Sequence, residues 1–244
     1  MELLPAALIT VIVTSFIQSM FGVGVLLFGT PILLFLGYPF VDILKILLPV
    51  SLSINAMQVG LNLKKIDLKL YKDVLIYSVP FVVVSLFFVS KLSINMSLPV
   101  GILMLVVAIS NISERLEKRI ASLIRYDKAY MAVMGIIHGL TNLGGSLLTA
   151  MIHLKNYPKE VKRTTIAACY ATFAFSQIMT LMISSPRKMV LGLHDTLVYA
   201  LSGVLVFILA EKIVYQKIDN EKHKNALALH IFASGILLVG KAFF

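Results

Sequence analysis

The chain has no tryptophan, a single cysteine, and only 12 acidic residues against 22 Lys and Arg. Each shortage excludes something. One cysteine, Cys169, leaves no intrachain disulfide and no CxxC redox or zinc motif. It lies in an apolar run, where a small core residue is the default. No Asp or Glu falls in the middle of a long apolar run. Proton and cation carriers usually keep carboxylates there, so the shortage weighs against a cationic substrate. No P-loop, HExxH, Ser-His-Asp or paired-carboxylate pattern occurs. An enzyme or ATP-driven pump therefore has little support, and neither cofactor nor metal is expected. The formal charge of +10 forms no basic stripe with interleaved aromatics, which argues against nucleic acid as a partner.

Apolar runs dominate what remains. The composition is 59% hydrophobic and 14% charged, with a mean hydropathy of +0.92. Uncharged stretches lie at 3–41, 46–63, 74–90, 92–113, 129–154, 164–186, 196–210 and 225–240. Most approach the ~20 residues that a membrane helix needs. They are continuously apolar and do not alternate, which excludes a β-barrel. The expected class is an all-α polytopic membrane protein whose principal partner is the lipid bilayer. Glu2 is the one charge near the start, so a cleaved signal peptide is not expected.

One pattern occurs twice. Met20-Phe21-Gly22-Val23-Gly24 breaks the first apolar run, and Tyr38-Pro39 and Gln58 follow. Leu140-Thr141-Asn142-Leu143-Gly144-Gly145 breaks a later run, and Tyr157-Pro158 and Gln177 follow. The Tyr-Pro pairs and the Gln pair are each 119 residues apart (157 less 38, and 177 less 58). The expected organisation is a first membrane repeat at 1–112, a cytoplasmic linker at 113–127 and a second repeat at 128–244. The repeats hold five apolar segments each: 3–20, 22–37, 41–61, 73–90 and 96–112, then 128–140, 144–154, 163–184, 195–211 and 226–243.

Charge sets the topology. The stretch 129–154 has 26 uncharged residues, too few for two crossings of ~20. If it turns back inside the membrane, the basic stretches 62–73, 113–128, 155–163 and 211–224 share one side, with four, five, four and four Lys/Arg. Those 17 face five on the other side: Lys45, Lys91, Arg187, Lys188 and Lys241. Cytoplasmic loops collect Lys and Arg, so the larger group is cytoplasmic and both termini lie outside. An odd number of segments per repeat inverts the second copy, the plan that alternating access uses.

A helix that starts in mid-membrane presents unsatisfied N–H groups and a positive dipole end, which favours an anion. Substrate binding is therefore expected at the two breaks, Gly22 and Gly24 with Thr141, Asn142, Gly144, Gly145 and Ser146. Asn55, Gln58 and Gln177 on the third segments add hydrogen-bond donors. His138 is the one ionisable side chain expected near the midplane and joins the set. Lys45 and Arg163, just beyond each Tyr-Pro, either draw anions to the two vestibules or anchor the helices at the interface.

At these breaks the chain resembles the sulfite exporter TauE/SafE family. Its members carry a glycine-rich break early in each of two related halves. The matching residues are Phe21-Gly22-Val23-Gly24 and His138-Gly139-Leu140-Thr141-Asn142-Leu143-Gly144-Gly145-Ser146. Val25 and Leu26 stand where the family often has further glycines. The resemblance implies movement of small sulfur-containing or carboxylate anions across the cytoplasmic membrane.

The expected function is thus a secondary transporter of a small anion, such as sulfite or an organosulfonate. Coupling to H⁺ or Na⁺ and assembly as a homo-oligomer are compatible with it. A channel is the rival within transport, and saturable flux with counterflow excludes it. A non-transporting membrane scaffold is the rival of another class; it predicts that Gln58→Ala, Gln177→Ala and Asn142→Ala leave the cellular phenotype intact. Cysteines placed at Lys118, Lys159 and Lys217 should all label from the cytoplasmic side, and one at Lys91 from outside. Labelling of positions 118 and 159 from opposite faces would exclude the re-entrant turn.

Overall fold

A computed structural model describes residues 5–92, 94–113, 122–124, 126–184, 192–214 and 220–243. Most of the expected linker 113–127, and the counted charges Arg115, Lys118, Arg119, Arg125, Arg187, Lys188 and Lys217, lie outside the described residues. Within them the protein is wholly helical: α1 (Pro5–Phe21), α2 (Val25–Phe35), α3 (Phe40–Asn62) with a 3-10 turn at Leu63–Lys65, α4 (Leu68–Tyr77), α5 (Val79–Lys91), α6 (Ser97–Ile112), α7 (Asp127–Thr141), α8 (Gly145–His153), α9 (Lys159–Ser184), α10 (Leu193–Val214) and α11 (Asn220–Phe243).

All ten apolar segments appear as helices, with one refinement. The fourth begins earlier than expected and is jointed at Ser78, between α4 and α5. Pro80 contributes no N–H to the first turn of α5, and Gly135 of α7 lies against the Ser78 carbonyl. Together α4 and α5 form one span, Leu68–Lys91; the other stretches long and apolar enough to cross are Phe40–Lys65, Lys159–Ser184 and Leu193–Lys212. By contrast α2 and α8 have 11 and 9 residues. At 1.5 Å per residue they reach about 16 and about 14 Å, half of a ~30 Å hydrocarbon core.

Both Tyr-Pro pairs do the same work. Pro39 and Pro158 immediately precede α3 and α9, and their carbonyls accept the first helical bonds, from Ile43 at 3.0 Å and Lys162 at 3.1 Å. Proline biases its predecessor to extended backbone, so the chain turns there before each long helix starts.

These two helices pack on each other at the centre. Around them α1 packs on α10, α7 on α5, α5 on α9, and α10 on α3, while α6 pairs with α11. Small residues bring the backbones together, as membrane packing requires when lipid is as apolar as leucine. Gly135 and Gly139, one turn apart on α7, seat on Ser78 and on Val82–Ser85 of the α4–α5 span. Gly101 and Gly235 do the same between α6 and α11.

A polar tie joins the α3–α4 turn to the α8–α9 loop. Tyr157 donates its O–H to Asp67 Oδ2, the Asp67 N–H donates to Thr165 Oγ1 at 2.9 Å, and Lys65 pairs with Glu160. Burial pushes the Asp67 carboxyl up, but donation from Tyr157, Leu70 and Lys69 outweighs it and holds the group below its usual value. The same bond pushes Tyr157 up to about 12. The carboxylate's contribution is complete above pH 3.8 and fades as pH falls below it. The phenol's is complete below pH 10 and fades as pH rises toward about 12. The tie is therefore intact through neutral pH.

A methyl group on Gly139 would stand 2.5 Å from the Val82 carbonyl oxygen, whereas one on Gly60 would meet nothing within 4 Å. Gly139→Ala should cost about 1–3 kcal/mol through overpacking and lower the unfolding temperature in detergent. Gly60→Ala should leave it unchanged or raised, since alanine favours helix by about 1 kcal/mol.

Candidate functional site

The two breaks share a left-handed helix cap, though the glycines that follow differ, with φ of −172° at Gly24 and −59° at Gly144. Helix α1 ends at Gly22, with φ of +75° and its N–H donating to Gln18 O at 2.8 Å. Helix α7 ends at Asn142, with φ of +65° and its N–H donating to His138 O at 2.8 Å. Both are left-handed caps that close the last turn of a helix. Glycine takes this conformation freely; Asn142 is the one non-glycine that adopts it among the described residues. Two residues on, a glycine lies directly on the preceding helix. A methyl on Gly24 would come within 2.5 Å of Gln18 N, and one on Gly144 within 2.5 Å of Met134 O.

The polar filling differs. At the first break both polar atoms of the Gln18 amide are bonded. Its Oε1 accepts from the Val25 N–H at 3.0 Å and so caps α2, and its Nε2 donates to Asn55 Oδ1 at 3.3 Å. Asn55 in turn donates to Ser51 O and Oγ at 2.7 and 3.1 Å. At the second break the equivalent residue is His138, fully buried with neither ring nitrogen hydrogen-bonded. Its ring lies 4.7 Å from that of Phe173 and edge-on to Tyr170 at 6.4 Å. The Gln177 amide lies beside the imidazole without a hydrogen bond of normal geometry, and both its polar atoms are unpaired at 0% exposure. Asn142 donates from Nδ2 to Thr30 Oγ1 of α2 at 3.0 Å, and its Oδ1 has no partner.

The structure therefore gathers His138, Asn142, Gly144, Gly145 and Gln177 around the start of α8. Tyr170, Phe173 and Gln177 reach them from one face of α9 at helical spacing. The Tyr170 hydroxyl occupies the space a side chain on Gly145 would need, 1.8 Å from its Cβ position. Thr141 and Ser146 donate their hydroxyl protons to Ile137 O and Leu143 O, at 2.7 and 2.8 Å, which leaves them acceptors only. Gly22, Gly24, Asn55 and Gln58 form a separate group at the first break.

Gln58 there meets Arg163. With its amide oxygen toward the guanidinium, Gln58 accepts from Nε at 3.1 Å and Nη2 at 3.2 Å. Arg163 Nη1 also pairs with Glu211 of α10 at 2.7 Å. Lys45 is buried and paired with Asp42. Among the described residues no three His, Cys, Asp or Glu side chains gather to hold a metal ion.

Sequence reasoning missed Gln18, Thr30 and Glu211. Gln18 had a signal: it precedes Gly24 by six residues, as His138 precedes Gly144. That pairing runs at an offset of 120 (138 less 18), one more than the Tyr-Pro offset, and a fixed register of 119 hides it.

Short broken helices and, among the described residues, four membrane-length spans define a multi-pass membrane protein. Residues 7–238 match the sulfite exporter TauE/SafE family, and the chain belongs to that family. Neither the curated proteins nor the solved structures give a match. Membership implies a membrane transporter of sulfur-containing anions.

The two breaks should respond oppositely to loss of their polar residue. Gln18→Leu leaves the Val25 N–H and Asn55 Oδ1 buried and unpaired, at a cost of about 1–3 kcal/mol. His138→Leu removes only unpaired nitrogens and should hold or raise the unfolding temperature. Thermal unfolding in detergent distinguishes them; equal destabilisation would refute the difference.

Proposed function

We propose that the protein is a secondary transporter that carries a small anion, sulfite, an organosulfonate or a related sulfur-containing or carboxylate anion, across the cytoplasmic membrane by alternating access. One observation carries the proposal: five polar atoms of His138, Asn142 and Gln177 lie buried and unpaired at the start of α8. Each such atom costs about 1–3 kcal/mol when nothing satisfies it. Ligand or water must supply the missing bonds. The unpaired set mixes donors, the Gln177 amide and one imidazole N–H, with acceptors, Asn142 Oδ1 and Gln177 Oε1. An oxyanion that carries a proton matches both kinds. The α8 start adds the positive end of a helix dipole.

Inverted repeats are part of the same reading. Exchange of α1, α2, α3, α4–α5 and α6 with α7, α8, α9, α10 and α11 maps the α1–α10 contact onto α7–α5, and α3–α10 onto α9–α5. The α3–α9 and α6–α11 pairs map onto themselves. That pattern, with the 17 to 5 charge split, supports two copies related by a twofold axis in the membrane plane and both termini outside. The Asn142–Thr30 bond then joins the second break to the short helix of the first copy. Rocking of one copy on the other exposes the α8 start alternately, driven by an H⁺ or Na⁺ gradient.

Purified protein in liposomes should move sulfite or a similar anion saturably and with counterflow. Asn142→Gly keeps the left-handed turn and deletes the amide; Gln177→Leu deletes both unpaired atoms on α9. Each should lower flux about tenfold or more, the loss expected for about 1.4 kcal/mol of ligand contacts; the unfolding temperature should hold in Gln177→Leu, whereas Asn142→Gly also loses the bond to Thr30. Flux of no small anion under any gradient, or full flux in both variants, would refute the proposal.

A further inference from the structure

A cavity of 320 Å³ opens beside the first break, at the ends of α1 and α8 and the start of α9. Met20, Phe21 and Ile166 form apolar wall; Lys159, Lys162 and Arg163 bring three positive charges, and no carboxylate lines it. Gly22 adds backbone without bulk: its φ of +75° excludes most side chains, and the Cβ position it leaves empty is 3.9 Å from Arg163 Cγ. Lys162 Nζ donates to His153 O at 3.1 Å, which holds its charge at the wall. The 26-residue helix α9 begins here, so its positive dipole end adds to the field. Arg163 Nη1 also pairs with Glu211 at 2.7 Å.

We propose that this cavity is a second anion site, distinct from the α8 start, and that its ligand is an organic oxyanion with a charged head and an apolar body. The charge argues for the head. The volume argues for the body: 320 Å³ is many times the space one water-sized group needs, and bare sulfite leaves most of it to solvent. Met20, Phe21 and Ile166 give that body an apolar surface. Arg163 links the cavity to the core, because the same guanidinium that lines it also binds Gln58 and Glu211. An anion in the cavity competes with Glu211 for Arg163 and so reaches the α3–α10 contact. The site stands independently of the α8 start, so failure of binding here and failure of transport there are separate results.

The absence of tryptophan makes the test direct. Phe21→Trp places a single indole in the cavity wall. In phosphatidylcholine nanodiscs its emission should change saturably with benzenesulfonate, and added Lys162→Gln with Lys159→Gln should weaken that binding about tenfold, as loss of two close charges predicts. Gln177→Leu should leave it unchanged. Calorimetry on the unsubstituted chain should give the same affinity, which guards against a reporter that perturbs the fold. A saturable response to phosphatidylglycerol in the nanodisc, weakened by the same lysine variants, supports the site and names a lipid headgroup as the source. Equal affinity for inorganic sulfate overturns the organic class. No saturable response, or one abolished by Gln177→Leu and untouched by the lysine variants, overturns the site.

Discussion

A helix interrupted inside a bilayer must satisfy its own backbone, because no water is present to do so. The rest of this structure depends on how that demand is met twice. At each break a left-handed residue, Gly22 or Asn142, returns its N–H to the last turn of the helix it ends. A glycine two positions on then lets the chain lie against that helix at a distance that forbids any Cβ. These closed turns lead directly into the starts of the short helices α2 and α8.

The same turn is filled differently. Gln18 is long enough to cap α2 and still reach Asn55, so the first break is closed by the protein's own groups. His138 stands at the corresponding place, and its imidazole packs on Phe173 instead of bonding. The left-handed residue follows suit. Glycine at 22 offers backbone only, while asparagine at 142 accepts a conformation glycine would take more easily and contributes an amide. Strain tolerated at one residue, together with unsatisfied atoms on three, supports the second break as the proposed binding site.

Much of this was legible in the residues. Ten apolar segments, both breaks, and the Tyr-Pro helix starts follow from hydropathy and from the stereochemistry of glycine and proline. Gln177, His138 and Asn142 were also picked out, by position in the repeat and by polarity in an apolar run. What was hidden was whether a polar side chain is already satisfied. Asn55 and Gln177 look alike in sequence, yet Asn55 is bonded to Gln18 and Ser51 while Gln177 lies beside His138 without a hydrogen bond of normal geometry. The equivalence of Gln18 and His138 was masked by a one-residue change in register. The joint at Ser78 depends on Gly135 from a helix far along the chain, which no local pattern contains.

The placement of charge follows from what a carrier must do. A cation fixed at the α8 start would hold an anion strongly in a low-dielectric site, and release would then cost as much as binding gained. Transport needs binding that is adequate and reversible. Neutral amides, an imidazole and a helix start give directional contacts without a permanent counter-ion. The strong cations sit instead where solvent screens them: Lys159 and Lys162 line the open cavity, and Arg163 spans from that cavity to Gln58 with Glu211 offsetting its charge. On the proposed reading, charge at the open cavity attracts anions electrostatically, while the neutral contacts at the α8 start are weak enough to let go.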